Sequence, residues 1–387
     1  MVDLIVIGAG AIGSATAFQA ARAGASVLLL EQYAIDHQRG SSHGGSRIIR
    51  YVYDHPIYVR LARASFAAWR DLEAETGETF YIRTGGIDFA PPDEPLFTLM
   101  RQTLTATGIP HELWSSAETM QRFPQFHLEQ DTQVLYQADT GILRASKAVR
   151  AFVRLAQTGG VMVKENSPVT NIVVHPDSVT VTAGGEQFEG ARLVLAAGGW
   201  MSQWLEPMGI SLPLQPVAAQ ENYFDVKSSE AFTPERFPVW MGHLQHHYGE
   251  ILYGMPDIDG YGIKIGRHGG PPMDPDSSDR TPDAQLMATL NGFADQYFPG
   301  AQATPKSSRA CIYTNTPDGH FVIDTHPEHA HVTITSCCSG HGFKFSPALG
   351  QIISNLALTG KHDPDNKLFR MDRFSTAILS VSYTHLT

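Results

Sequence analysis

The sequence predicts an α/β (α+β) fold in two domains, one wound on a parallel sheet and one built on an antiparallel sheet. Three stretches carry that prediction. Residues 2–31 read as strand, glycine turn, helix, strand and acid. Residues 193–200, Leu193-Val194-Leu195-Ala196-Ala197-Gly198-Gly199-Trp200, form a fully apolar strand that ends in glycine and leads into a helix. Residues 218–267 are strand-rich, with Pro and Gly at turn spacing, as in an antiparallel sheet.

The first stretch is the most explicit. Residues 2–7 are apolar except for Asp3, and Gly8-Ala9-Gly10-Ala11-Ile12-Gly13 follows, reading G-x-G-x-x-G. A helix is expected over 14–23, stopped by Gly24, then a strand over 25–30 closed by Glu31. Each part has a physical task. Gly8 permits the tight turn, Gly10 lets backbone approach a pyrophosphate, and Gly13 lets helix and strand pack closely. The helix N-terminus offers free N–H groups and a positive dipole end to phosphates. Glu31 can accept from a ribose diol and would repel a 2′-phosphate. The motif marks a dinucleotide site without separating FAD from NAD. Its start near residue one is common among flavoproteins.

Bulk properties narrow the rest. The 387 residues suffice for two or three domains. A net charge of −11 argues against a nucleic-acid or anionic-membrane surface. No apolar run reaches the roughly 18–20 residues of a membrane span, and the N-terminus reads as a folded strand and not a signal peptide. Three cysteines, Cys311, Cys337 and Cys338, are too few for a disulfide framework, so a reducing cytoplasm is expected.

In chain order, the loop 32–50 contains Gly40-Ser41-Ser42-His43-Gly44-Gly45-Ser46-Arg47, whose small residues suit close approach to a ligand. Arg47 and Arg50, three apart, would share a face on a helical turn. An amphipathic helix is expected over 58–76, carrying Leu61, Phe66, Trp69 and Leu72. Residues 80–90 read as a hairpin turned at Gly85-Gly86. Helices follow over 94–107, 118–123 and 146–159, with a strand at 134–137 and a turn at 139–141. Strands are expected at 161–163, 169–175 and 179–183. The later segments 218–226, 239–242, 251–255 and 261–267 are strands, and 283–297 a helix. Strands at 310–314, 321–325 and 331–336 precede a glycine-opened helix over 340–358. His243, His246 and His247 read as exposed loop residues in preference to a metal site. The tail 375–387 is polar and expected to be mobile.

The last third carries a longer signature: Cys311-Ile312-Tyr313-Thr314, Asp318-Gly319-His320-Phe321-Val322-Ile323-Asp324, and Ser339-Gly340-His341-Gly342-Phe343-Lys344-Phe345-Ser346. With the N-terminal glycines and Gly40-Ser41-Ser42-His43-Gly44, the chain over about 2–374 resembles the monomeric sarcosine oxidase family, of which N-methyl-tryptophan oxidase is a close relative. That resemblance implies an FAD-dependent amine oxidase acting with O2 on a secondary N-methyl amino acid. It implies a Rossmann-like FAD-binding domain over 1–85, 145–217 and 310–374 and a substrate domain over 86–144 and 218–309. A monomer without nucleic-acid or membrane partners is expected.

The resemblance also assigns residues. Gly8, Gly10, Gly13, Glu31, Ser42, His43, Arg47, Gly340, His341, Gly342, Phe343 and Lys344 would line the FAD. Cys311 would hold it covalently by a thioether to the 8α carbon of the ring, for which a thiolate and a nearby cation are needed. Arg50 and Lys344 would bind the substrate carboxylate, a bidentate guanidinium and an ammonium together neutralising one anion. The helix start near 340–343 would place positive potential near the flavin N1–C2=O edge. Lys264, between Ile263 and Ile265 and so facing away from both on a strand, would stabilise superoxide over the flavin face. Arg47 and His268 join it on the catalytic side. Tyr253, His268 and Tyr313 match substrate-pocket positions, His268 being placed on the Lys264 strand face. Cys337 and Cys338 read as small core residues. Two departures stand out: Asp54-His55-Pro56 replaces the family's glycine-and-glutamate turn after Tyr53, and the chain ends His385-Leu386-Thr387, unlike a peroxisomal tripeptide. A flavin dehydrogenase using another acceptor, a non-catalytic FAD-binding subunit and a nicotinamide enzyme are the rival readings. Lys264, the three cations together, and Cys311, respectively, argue against them.

Overall fold

The computed structural model describes residues 1–244, 251–302 and 304–374. The chain divides into two compact units. One comprises Met1–Gly44, Ser146–Pro216 and the chain from Ile312; the other comprises Gly45–Ala145 and Val217–Cys311.

The first unit is built on a six-stranded sheet in the order Val322–Thr325, Val332–Ser336, Leu193–Leu195, Leu4–Ile7, Val27–Leu30, Met162–Lys164. Only the edge pair Val322–Thr325 with Val332–Ser336 is antiparallel. Its inner strands LIVI, VLLL and LVL are buried at every residue, as a parallel sheet covered on both faces requires. On one side Ile5, Leu28, Leu193 and Ile334 pack with Val179, Val181 and Ala183 of a three-stranded meander. Helix Ala11–Arg22 lies against helix Ser346–Thr359. A Cβ on Gly350 would come within 2.7 Å of the Ala15 backbone, so that crossing depends on small residues. The meander strand Glu186–Gly190, too polar to read as a strand from its sequence, is fixed by pairing with Val179–Ala183.

The second unit is built on an eight-stranded sheet in the order Ser307–Asn315, Gln215–Phe224, Ile263–Arg267, Leu252–Met255, Val239–Gly242, Gly86–Ala90, Gln133–Gln137, Glu112–Ser115. Pairing is antiparallel from Gln215–Phe224 to Val239–Gly242 and from Gly86–Ala90 to Glu112–Ser115, while Val239–Gly242 and Gly86–Ala90 run parallel. Side chains alternate between two faces. On one face Ile87, Phe89, Phe224, Trp240, Leu252, Ile263 and Ile265 form an aromatic-rich core with Leu290 and Phe293 of helix Ala284–Tyr297. Asp283 caps that helix by accepting the Leu286 N–H at 2.7 Å. Part of the opposite face is covered by a three-stranded sheet, Arg47–Ile49, Gly141–Leu143 and Tyr81–Arg83, whose Ile48, Ile82 and Ile142 pack with Val239, Met241, Tyr253 and Met255.

Three expectations change here. Residues 80–90 do not form a hairpin: Tyr81–Arg83 pairs with Gly141–Leu143, and Gly86–Ala90 joins the large sheet. Gly85, at φ 68°, turns the chain from one sheet to the other. Segment 45–85 therefore belongs to the second unit and not to the first, since Arg47–Ile49 and Tyr81–Arg83 both flank Gly141–Leu143. The helix expected from Gly340 begins at Ser346, after a 3₁₀ turn over Phe343–Phe345. Ser339 and Gly340, at φ 38° and 72°, are left-handed and cannot start a helix. Among the described residues no helix is long and apolar enough to cross a membrane. The tail 375–387 lies outside them.

Candidate active site

The first unit carries a cradle at the C-terminal ends of its parallel strands, where α/β sheets bind ligands. Leu4–Ile7 ends at Gly8, which has φ 99° and donates its N–H to Leu30 O at 2.8 Å. A Cβ on Gly8 would strike the Ala196 carbonyl, and one on Gly13 would strike the Gly8 carbonyl. The turn is thus closed to side chains by its own backbone. At Gly10 a Cβ would lie 3.0 Å from Ser42 Oγ, which accepts the Ala11 N–H at 2.9 Å. Helix Ala11–Arg22 has no side-chain cap at Gly10 and no acid in its first turn, leaving its positive end for an anion. Buried Glu31 accepts the Ala9 N–H at 2.8 Å and the Tyr33 N–H at 3.0 Å, tying the acid to the glycine turn. The small-residue loop is anchored too: Ser41 donates to the Ile312 carbonyl, and Gly44 N–H to Ser146 Oγ at 2.9 Å. His43 is buried beside them in the chain.

The C-terminal signature folds as a compact turn in the same unit. His341 and Gly342 both donate their N–H to the Cys338 carbonyl, at 2.9 and 3.0 Å. A Cβ on Gly342 would strike the Cys337 carbonyl. The His341 ring stacks on Phe321 at 4.7 Å, and its Nε2 lies 3.1 Å from Gly319 O. Lys344 is buried in the 3₁₀ turn with Phe343, and its Nζ donates to His341 O at 2.7 Å. Cys338 Sγ accepts the Thr314 N–H at 3.4 Å, and burial pushes the Cys337 thiol up, which suits an inert core residue. Tyr313 is half-buried on Ser307–Asn315.

The second unit concentrates its charge on one face of the eight-stranded sheet. Registers Tyr223↔Lys264, Glu221↔Gly266, Tyr253↔Gly266, Met241↔Tyr253 and Met241↔Asp88 put Glu221, Tyr223, Lys264, Tyr253, Met241 and Asp88 on that face. Lys264, 3% exposed, is in a close ion pair with Glu221, 1% exposed. The other Glu221 oxygen accepts from Arg309 Nε at 2.8 Å. Lys264 Nζ stands 5.7 Å from the centre of the Tyr223 ring. The Tyr253 ring lies over Gly266, where a Cβ would come within 2.6 Å of its hydroxyl end. Burial alone would push the Glu221 carboxyl up, but Lys264, Arg47 and Arg309 outweigh it and hold it well below the carboxylate range. Burial alone would likewise discharge Lys264, but Glu221, with Tyr223 and Tyr253, outweighs it and raises the ammonium above its usual range.

Three strands away, roughly 14 Å by strand spacing, Asp88 gathers a second cluster. Asp88 Oδ1 accepts from Arg50 at 2.7 Å and lies 2.8 Å from His243 Nε2. The Arg50 guanidinium sits 5.0 Å over the Tyr53 ring, and burial raises the Tyr53 phenol so that it stays protonated. His243 is 0% exposed, not the exposed loop residue expected; His246 and His247 lie outside the described residues. Among the described residues the buried Nδ1 of His243 has no partner, while its Nε2 faces the Asp88 carboxylate.

Other site expectations are also revised. Arg47 and Arg50 do not share a helical turn: Arg47–Ile49 is a strand, and its alternation sends the two side chains apart, Arg47 acting on Glu221 and Lys264, Arg50 on Asp88. His268 lies one residue past the end of strand Ile263–Arg267, four residues beyond Lys264, and donates its N–H to Ile251 O at 2.8 Å, continuing the pairing with the neighbouring strand. Cys311 is buried, 6% exposed, on strand Ser307–Asn315 and forms no disulfide. Sequence reasoning missed Glu221, Asp88, His243 and Arg309. Asp88 carried a signal, a charge between Ile87 and Phe89 in a strand, which is the same signal that marked Lys264.

The cradle fits a dinucleotide: a turn closed to side chains, a helix start with no acid in its first turn and a buried acid at its rim are what a pyrophosphate and a ribose diol need. Comparison with known proteins agrees. The family pattern described as FAD dependent oxidoreductase matches residues 3–356. Monomeric sarcosine oxidase of Bacillus sp. (strain B-0618) is 34% identical over 380 residues, covering 96% of each chain. Peroxisomal sarcosine oxidase of Mus musculus is 36% identical over 382 residues, 97% of this chain and 96% of that one. N-methyl-L-tryptophan oxidase of Salmonella arizonae is 32% identical over 377 residues, 96% and 99%. Among solved structures, the Tyr258Phe mutant of NikD, an unusual amino acid oxidase, superposes with a TM-score of 0.86 at 23% identity, covering 100% and 99%, a likeness of fold.

Proposed function

The chain belongs to the family of FAD-dependent oxidoreductases, and from that premise we propose that it oxidises a secondary N-methyl amino acid of the sarcosine type with O2. At the coarser level it is an FAD-dependent amine oxidase. One observation supports the finer reading most: two cations, the buried Lys264 and the partly buried Arg50, are each held by a buried acid, Glu221 and Asp88, of one sheet face. Such cations are preorganised for charge that arrives with substrate or develops during reaction.

FAD supplies the two-electron oxidation of the carbon–nitrogen bond when bound. Gly8, Gly10, Gly13, Ser42 and Glu31 would hold its dinucleotide part, with His43, Arg47, Gly340, His341, Gly342, Phe343 and Lys344 toward the ring. Cys311 is the proposed covalent attachment. The protein's own share is binding and electrostatics. Arg50 and Lys344 are proposed to neutralise the substrate carboxylate; Asp88 and Tyr53 orient Arg50. Tyr253, Tyr313 and His268 would shape the pocket. The substrate binds with a neutral amine, so no strong general base is required. Lys264 meets the negative charge that arises when O2 takes its first electron. The products are an imine, hydrolysed to the amino acid and formaldehyde, and hydrogen peroxide. The protein is taken to work as a monomer, and three cysteines without a disulfide among them fit a cytoplasmic setting.

The test is product stoichiometry in air with sarcosine and with N-methyl-tryptophan. Equal yields of formaldehyde and peroxide are expected, faster from sarcosine. A faster reaction with N-methyl-tryptophan moves the assignment to the bulkier substrate, and substrate oxidation without peroxide makes the protein a dehydrogenase. Acid precipitation tests Cys311 separately. Flavin should stay with the wild-type precipitate and pass to the supernatant from Cys311→Ala; release from both would rule out the covalent link.

A further inference from the structure

We infer that Glu221 is the positioning residue that keeps Lys264 a fixed ammonium, so that oxygen reduction by this enzyme stays independent of pH through the neutral and alkaline range. The inference rests on the proposed role of Lys264 as the oxygen-side cation. In the reaction one O2 takes two electrons from the reduced flavin and two protons, and leaves as one H2O2. The first electron makes superoxide, and that anion is what an ammonium stabilises. A neutral amine would do little.

Whether Lys264 holds its proton is decided locally. It is 3% exposed, and a buried lysine without a partner readily loses its charge. The groups acting on it come from every strand around it: Glu221 and Tyr223 on Gln215–Phe224, Tyr253 on Leu252–Met255, and Arg47 on Arg47–Ile49. Only Glu221 among these is a carboxylate. Arg47 opposes the charge, and Tyr223 and Tyr253 bring phenol groups, not carboxylates. Glu221 pairs directly with Gly266, two residues along from Lys264, a diagonal cross-strand position that brings carboxylate and ammonium together. Its second oxygen is occupied by Arg309, so the carboxylate cannot swing away from the pair without breaking that bond.

The signs follow. Glu221, lowered when folded, contributes stability above its unfolded value and loses it as pH falls through the folded one. Lys264, raised when folded, contributes below its unfolded value and loses it as pH rises through the folded one. Between these limits both are charged. In Glu221→Gln the acid is gone while Arg47 and Arg309 remain, so the Lys264 ammonium is lost within the accessible range.

Two measurements on the flavin-loaded protein test this, one of them independent of turnover. Nitrogen NMR of the Lys264 amine should report an ammonium from about pH 6.5 to about pH 10 in the wild type, and a titration below the ordinary lysine value of about 10.4 in Glu221→Gln. Stopped-flow reoxidation should be flat with pH in the wild type and fall at least about tenfold with rising pH in Glu221→Gln, with flavin reduction unchanged. Glu221→Asp keeps the charge at longer reach and should place its inflection between the two, which covers the event that Glu221→Gln folds poorly. A Lys264 that stays charged in Glu221→Gln, with flat reoxidation, overturns the inference. Lys264→Met separates the layers: if its reoxidation matches wild type, the oxygen role of Lys264 fails, and the NMR titration still decides what Glu221 does.

Discussion

The glycine cradle and the charged sheet face reach function by opposite routes. The cradle is local. Gly8, Gly10 and Gly13 lie within six residues, and each faces an atom of its own unit that a Cβ would crowd, the Ala196 carbonyl, the Ser42 hydroxyl and the Gly8 carbonyl. The charged face is assembled from distant strands: Glu221 meets Lys264 and Arg309, and Asp88 meets Arg50 and His243. A turn that must exclude side chains leaves a mark in consecutive residues. An ion pair across a sheet leaves two isolated charges whose connection exists only after register is set. The cradle is therefore brittle to added atoms, and the face to lost charge.

That contrast sets the order of effects. Gly13→Val should be the most severe, because its side chain must displace the Gly8 carbonyl and with it the turn. Purified protein should carry essentially no flavin, read by absorbance; a fully loaded variant would show that the turn can yield. Lys264→Met should come next. Removing a preorganised cation should slow reoxidation by on the order of 10²-fold or more, with flavin reduction near wild type. Arg50→Ala should cost roughly 1.5–3 kcal/mol, about ten- to hundred-fold in kcat/KM toward the acid substrate, and little toward its neutral N-methyl amide. Equal loss toward both would mean that Arg50 serves Asp88 and the fold, not the carboxylate.

Legibility in the sequence followed the same line. The βαβ start and the long helices were readable because 3.6-residue and unbroken apolar patterns are local, and Glu31 stood at the strand end where a dinucleotide needs it. The hairpin at 80–90 was misread because Gly85-Gly86 has the composition of a turn, whereas here it carries the chain between two sheets. Arg47 and Arg50 were given a helical spacing because nothing in Ser46-Arg47-Ile48-Ile49-Arg50 reveals a strand until Gly141–Leu143 pairs with it. His243 was taken for a solvent residue since its partner, Asp88, is 155 positions away in the chain. Lys264 was picked out by its apolar flanks, but the acid that holds it was not: Glu221 sits between Gln220 and Asn222, where a charge looks ordinary.

The division of the charged face into an oxygen-side cation and a substrate-side cation is tested most directly by separating the two half-reactions in three proteins. Wild type, Lys264→Met and Arg50→Ala would each be reduced anaerobically with sarcosine, then mixed with O2, with flavin absorbance followed throughout. Expected is a crossed pattern: Arg50→Ala slow in reduction and normal in reoxidation, Lys264→Met normal in reduction and slow in reoxidation. Parallel losses in both half-reactions for either variant would contradict the division and leave the two ion pairs as supports of the sheet.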